Sequence, residues 1–181
     1  MLLEPVFMPT ADHDHYERAF AEWLRAERIP YVSVEQVRRP ADDAGPMKNF
    51  DFLVHSPAGP HYIVDVKGRR FPNVTRRGET YWENWVHLSD LEGLLAWEKH
   101  FGEGYTSLLV YCYWLQLPPG EPVARKTVTS RGRDYLLVAV PARTYAENCR
   151  RRSLRWQAVS VPAKTFCGLA KPVEKFLRPR G

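Results

Sequence analysis

The chain has 181 residues, 44% hydrophobic, 13% aromatic and 26% charged, which suits one ordinary core and is too short for two comfortable domains. Its longest apolar runs, Leu108 to Leu115 and Tyr135 to Ala142, are far below the roughly 18–20 residues that cross a bilayer, so neither a membrane span nor wholesale disorder is expected. The formal charge of +5 is uneven: residues 1–120 carry 12 Lys and Arg against 17 Asp and Glu, and residues 121–181 carry 14 against 4. A basic C-terminal third of this kind suits a polyanion, nucleic acid being the commonest, or is a solvated face that only aids solubility.

In chain order, Tyr16 to Glu27 reads as a helix, with Tyr16, Phe20, Trp23 and Leu24 at helical spacing, closed by Pro30. Tyr31 to Val37 alternates as a strand, and Arg39 to Pro46 has the composition of a loop. Phe50 to His55 and His61 to Val66 are strands joined by the hairpin loop Ser56-Pro57-Ala58-Gly59-Pro60. Gly68 to Trp85 reads as a long irregular segment. A second helix is expected over about Leu88 to Phe101, begun by a capping box of Ser89 and Glu92 and ended at Gly102. Thr106 to Leu115 and Tyr135 to Val140 are further strands, flanking an Arg-rich connection. Beyond them come a short helix from Thr144, a strand at Gln157 to Val161 and a basic terminal turn. The order suggests an α/β sandwich around a mixed sheet. Cys112, Cys149 and Cys167 form neither a disulfide framework nor a zinc knuckle, and the N-terminus lacks the start of a secretory signal, so reduced thiols and a cytoplasmic location are expected.

Chemistry concentrates in Phe50-Asp51-Phe52-Leu53-Val54 and Tyr62-Ile63-Val64-Asp65-Val66-Lys67-Gly68. Residues two apart on a strand share a face, so Asp65 and Lys67 point one way while Tyr62, Val64 and Val66 point the other. If the five-residue loop closes symmetrically, paired positions add to 116 and Asp51 stands opposite Asp65. Like charges directly opposite are destabilising, and a divalent cation between them reverses the sign of that interaction. Carboxylate ligands select Mg²⁺ or Mn²⁺ over zinc. Glu17, beside the buried stripe of the first helix, is the candidate third acid; a capping box of Asp14 and Glu17 would account for both residues equally well.

These residues resemble the PD-(D/E)xK nuclease superfamily, which includes restriction endonucleases and the archaeal Holliday junction resolvases. The motif maps to Glu17 on the first helix, Asp51 opening the second strand, and Asp65 and Lys67 on the third, with Tyr16-Glu17-Arg18 and Gly68-Arg69-Arg70 similar to the resolvase pattern. Phe50 stands where the superfamily name has Pro, and Asp65 where Glu is commoner. The match covers roughly residues 14–70. It implies a restriction-endonuclease-like sandwich in one domain, with a core over about 12–118 and a basic elaboration with extra β structure over about 119–181.

The resemblance further implies a Mg²⁺-dependent endonuclease in which Asp51, Asp65, the Val66 carbonyl and Glu17 hold the ion. Lys67 would orient the attacking water or stabilise the phosphorane charge. DNA is expected ahead of RNA, branched or distorted DNA included, and a homodimer is left open, since two-strand cleavage needs paired sites. Arg69, Arg70, Arg76, Arg77 and Trp82 form the first substrate-contact candidate, or a surface flap whose Trp belongs to the core; Arg150, Arg151 and Arg152 form a second, expected to track the backbone. His13 with His15, and His55 with His61, lack a third ligand at zinc spacing. The glycine and serine signatures of P-loop, Rossmann and serine-hydrolase chemistry are missing. The competing expectation is a basic nucleic-acid-binding or scaffolding module without catalysis.

Overall fold

Tyr16, Ala19, Phe20, Trp23 and Leu24 recur at the three- and four-residue spacing of one helix face, and in the computed structural model all five are buried along α1 (Asp14–Ala26). The structure describes residues 14–34, 41–42, 45–46, 48–56, 59–118, 121 and 125–178. His13, residues 35–40, Pro57 and Ala58 of the hairpin loop and the last three residues lie outside the described residues, and with them part of the expected first strand. The helix stops before Pro30. Arg28 is left-handed at φ 56°, its N–H donates to Arg25 O at 3.0 Å, and the N–H of buried Ile29 donates to Leu24 O at 2.9 Å. This is a Schellman closure with arginine where glycine is usual.

The chain continues through β1 (Tyr31–Ser33), the small pair β2 (Ala41–Asp42) and β3 (Gly45–Pro46), β4 (Phe52–Val54) and β5 (His61–Phe71). A second small pair follows, β6 (Asn73–Val74) with β7 (Thr80–Tyr81), then β8 (Val86–His87) leading straight into α2 (Leu88–Phe101). The expected capping box of α2 is not formed: His87 occupies the N-cap, so Ser89 lies inside the helix. Its C-terminal end is as expected, with Gly102 at φ 79°. After β9 (Tyr105–Leu115) come β10 (Val128–Ser130), β11 (Arg133–Pro141), α3 (Ala142–Asn148), β12 (Arg150–Ser153), β13 (Ala158–Ser160), α4 (Ala163–Leu169), β14 (Lys171–Pro172) and α5 (Glu174–Leu177).

The central sheet has the order β1-β4-β5-β9-β11-β10, with β14 added on β11; every pairing is antiparallel except β5 with β9. The C-terminal third, expected as an elaboration, thus supplies an internal strand, β11. Side chains alternate strictly across this sheet. Leu108, Val110, Cys112, Tyr135, Leu137 and Ala139 join Tyr62, Val64 and Val66 in the core beneath α1 and α5, while Leu109, Tyr111, Tyr113, Leu136, Val138 and Val140 form a second core beneath α2, α3 and α4. A sheet covered on both faces explains why these strands read as continuous apolar runs. A separate sheet, β12-β13-β8, borders the second core.

Two contacts fix the layers around β5. A Cβ on Gly68 would fall 2.1 Å from Tyr16 Cδ2, so the α1 ring rests directly on the strand backbone. On the other face, a Cβ on Gly93 of α2 would meet Lys48 Cβ at 2.9 Å, and Trp97 Nε1 donates to Lys48 O at 2.8 Å. The segment entering β4 is therefore held against α2.

Candidate active site

The register Phe52↔Val64, Leu53↔Ile63 and Val54↔Tyr62 is the expected one, with paired positions adding to 116. Asp51 immediately precedes β4, and its N–H donates to Val64 O at 2.9 Å, so Val64 is shared by Asp51 and Phe52 and the regular pairing ends here. Its side chain does more. Where the pairing ends, the Val66 N–H has no strand partner on that side, and Asp51 Oδ2 accepts from it at 2.7 Å. Asp51 and Asp65 are 6% and 8% exposed.

Asp65 and Lys67 occupy the face of β5 that Ile63 leaves apolar, beneath α2. Lys67 Nζ forms an ion pair with Asp65 Oδ2 at 2.6 Å and donates to Asp90 Oδ2 at 2.7 Å. Lys48 Nζ reaches the other oxygen of Asp90 at 2.6 Å. Burial pushes the Asp65 carboxyl up to about 7; Lys67 opposes the rise and Asp51 adds to it. Burial works against the Lys67 ammonium too, but Asp65 and Asp90 outweigh it and hold its pKa above the ordinary lysine value. For Asp90 the balance reverses: burial raises its pKa, and Lys67 and Lys48 together bring it below the usual carboxylate value.

Three of the expected site residues, Asp51, Asp65 and Lys67, are thus brought together on adjacent strands. Glu17 is not brought into one metal-holding group with them: α1 packs on the opposite face of the sheet, over Tyr62, Val64 and Val66, and among the described residues no three His, Cys, Asp or Glu side chains are arranged to hold a metal ion. The donor chemistry present is a pair of buried carboxylates beside the Val66 backbone. Asp65 Oδ2 is buried and its one cationic partner is Lys67 at 2.6 Å, so the fit to a hard cation rests on the oxygen donors themselves, two buried carboxylates side by side. Sequence reasoning missed Asp90 and Lys48. The available signal for Asp90 was an acid in the first turn of the helix that follows the Asp-x-Lys strand; Lys48 carries none.

The substrate-contact candidates divide. Arg69 is committed to the fold: it donates to Gly68 O at 2.7 Å and to Trp85 O, and its guanidinium lies 4.4 Å over the Trp85 ring. Trp82 stacks on Phe71 at 3.6 Å and 8°, and meets Tyr113 edge-on. Arg70, Arg76 and Arg77 are exposed, the last two at the tip of the β6–β7 hairpin, and Arg150, Arg151 and Arg152 are exposed along β12. Far from being irregular, the segment after Lys67 carries β5 on to Phe71 and then forms that hairpin.

No protein-family model matches the chain, and neither does any curated protein. Among solved structures it is similar to Hjc, a Holliday junction resolvase from Archaeoglobus fulgidus, with a TM-score of 0.51 over 90% of this chain and 97% of the other, at 11% sequence identity. The chain has a restriction-endonuclease-like fold. In this fold, as the chain builds it, the carboxylate pair lies where β4 begins against the middle of β5, under the N-terminal turn of α2. No helix among the described residues is long and apolar enough to cross a membrane.

Proposed function

We propose that the chain is a divalent-metal-dependent endonuclease that hydrolyses phosphodiester bonds in DNA, branched or distorted DNA in particular. The observation that carries this reading is the buried pair Asp51 and Asp65, on adjacent antiparallel strands, with Lys67 two residues along the same face. Asp51 and Lys67 have partners within the fold, but burying two carboxylates beside one another carries a cost that those partners only partly offset. The fold shared with a Holliday junction resolvase supports branched DNA as the substrate class.

Asp51, Asp65 and the Val66 carbonyl would hold Mg²⁺ or Mn²⁺. When bound, such an ion lowers the pKa of water and neutralises charge on the phosphate. Lys67 supplies a fixed positive charge on the same face as Asp65, where a scissile phosphate oxygen would be stabilised. Asp90 limits where that ammonium can point, and Lys48 keeps Asp90 in place.

The test is cleavage of labelled linear duplex, single strand, flap, four-way junction and RNA in Mg²⁺, Mn²⁺ or EDTA. Ion-dependent cutting of the junction or flap that is lost in Asp65→Ala and Lys67→Ala is expected. Retained cutting in both variants overturns the assignment. A second reading, a non-catalytic nucleic-acid-binding module, is favoured by one observation: no third acid joins Asp51 and Asp65 among the described residues. Binding without cutting by wild type would select it.

A further inference from the structure

Trp85, His87, Arg152, Ser153, Trp156 and Ala158 line a cavity of about 450 Å³ between the entry to α2 and the β12–β13 sheet. We propose that this cavity is a subsite for an unpaired nucleobase of a DNA strand engaged at the carboxylate pair. Its two indole rings supply the apolar surface, and a volume of several hundred cubic ångströms is ordinary for small-molecule recognition. Trp156 is 65% exposed and neighbouring Leu154 75%, which leaves a substantial apolar surface with no core to fill.

The surroundings narrow the occupant. Arg152 lines the cavity, Arg151 lines an adjoining pocket with Leu154, Arg150 is exposed on the same strand, and exposed Arg155 lies 5.8 Å from the Trp156 ring centroid. Glu83, the acid that approaches Arg152 at 3.6 Å, is shared with Arg69 at 3.8 Å. Aromatic planes beside an arginine-rich strand whose single nearby acid is divided between two arginines fit a flat heteroaromatic group carrying phosphate. A base within a duplex has both faces stacked already, so the group must be unpaired.

Strand β5 connects the cavity to the proposed reaction site. Asp65, Lys67 and Arg69 alternate onto one face, and the Arg69 guanidinium covers Trp85 at 4.4 Å. Four residues of strand span about 13 Å, roughly four stacked nucleotide steps. A strand with a phosphate at Asp65 would therefore bring a base a few nucleotides away to Trp85 and Trp156. The arginines of β12, expected to track the backbone, then accompany a base-stacking platform.

The inference rests on the nuclease reading, and its test keeps the two apart. The full chain is titrated in EDTA with a labelled short oligothymidylate and with an abasic strand of equal length, followed by anisotropy. Trp156→Ala is expected to weaken oligothymidylate binding about tenfold and abasic binding less than about twofold, with Trp156→Phe restoring most of the difference. An unchanged melting curve checks that the fold persists. Equal weakening for both strands, or none for either, overturns the subsite, as does a dimer that Trp156→Ala dissolves without altering oligonucleotide affinity. If binding is unaffected while Asp65-dependent cleavage remains, the subsite falls and the nuclease reading stands; if wild type binds neither strand, the subsite falls and junction cleavage alone decides the nuclease reading.

Discussion

Asp90, in the first turn of α2, accepts a hydrogen bond from Lys67 at 2.7 Å, so α2 sets the direction of the β5 lysine. Asp90 also pairs with Lys48, and both cations keep its pKa low against the effect of burial. Asp90→Asn keeps the shape and removes the charge. A stability loss of about 1–3 kcal/mol at pH 7 is expected, less than for a fully orphaned buried cation because Lys67 retains Asp65. Since the folded pKa is depressed, the wild-type advantage is complete above about pH 4 and disappears as pH falls through the lowered value. The variant also removes one of the two carboxylates that hold the Lys67 pKa up, so the alkaline limb of the pH–rate profile moves to lower pH. Urea unfolding at several pH values, with that profile, checks both; an unmoved limb would make Asp90 purely structural.

Asp65 behaves in the opposite sense. Its carboxyl is pushed up to about 7, by burial and by Asp51 against the pull of Lys67, so between about pH 4 and 7 the folded chain binds a proton that the unfolded chain has lost. Its stabilising contribution is complete below about pH 4, falls as pH rises to 7 and is flat above. Asp65→Asn removes this dependence. In the absence of divalent ions the variant is expected to match wild type near pH 4 and to melt higher at pH 8, by roughly 2–4 °C for each kcal/mol relieved. Adding Mn²⁺ at pH 8 should raise the melting temperature of wild type and leave that of Asp65→Asn unmoved. A wild-type-to-variant difference that stays constant across pH would remove the charge conflict on which the metal-site reading depends.

What could be read from the sequence was what strands and loops encode locally. The apolar runs of β9 and β11, the extent of α2 and the β4–β5 hairpin all follow from local composition, period and loop symmetry, and the register over residues 52–54 and 62–64 agrees. Features set by distant partners could not be read this way. Arg69 and Trp82 look like a substrate-binding loop because arginine and tryptophan serve surfaces and interiors alike; the Trp85 carbonyl and the Phe71 ring decide the matter. β10 is a three-residue strand that exists through its pairing with β11, and α1 ends on an arginine in a conformation that favours glycine. Glu17 sits beside the buried stripe as expected, but the layer of the sheet to which α1 belongs is a tertiary fact.

Asn84 shows the same long-range dependence and links the two sheets. Its side chain donates to Val161 O at 3.0 Å and accepts from Val161 N at 2.9 Å, and its own carbonyl accepts from Tyr111 and Tyr145, each at 2.7 Å. All of these groups are buried, so Asn84→Ala leaves both the Val161 N–H and its carbonyl unsatisfied. A loss of about 2–4 kcal/mol is expected from chemical denaturation. Because Asn84 precedes Trp85 and Val161 follows β13, the same change loosens the wall between Trp85 and the β12–β13 sheet. Oligothymidylate affinity should therefore fall with stability, while cleavage of bound duplex at Asp65 proceeds below the melting temperature. A loss under about 1 kcal/mol would mean that water replaces the asparagine and that these bonds do not hold the cavity in shape.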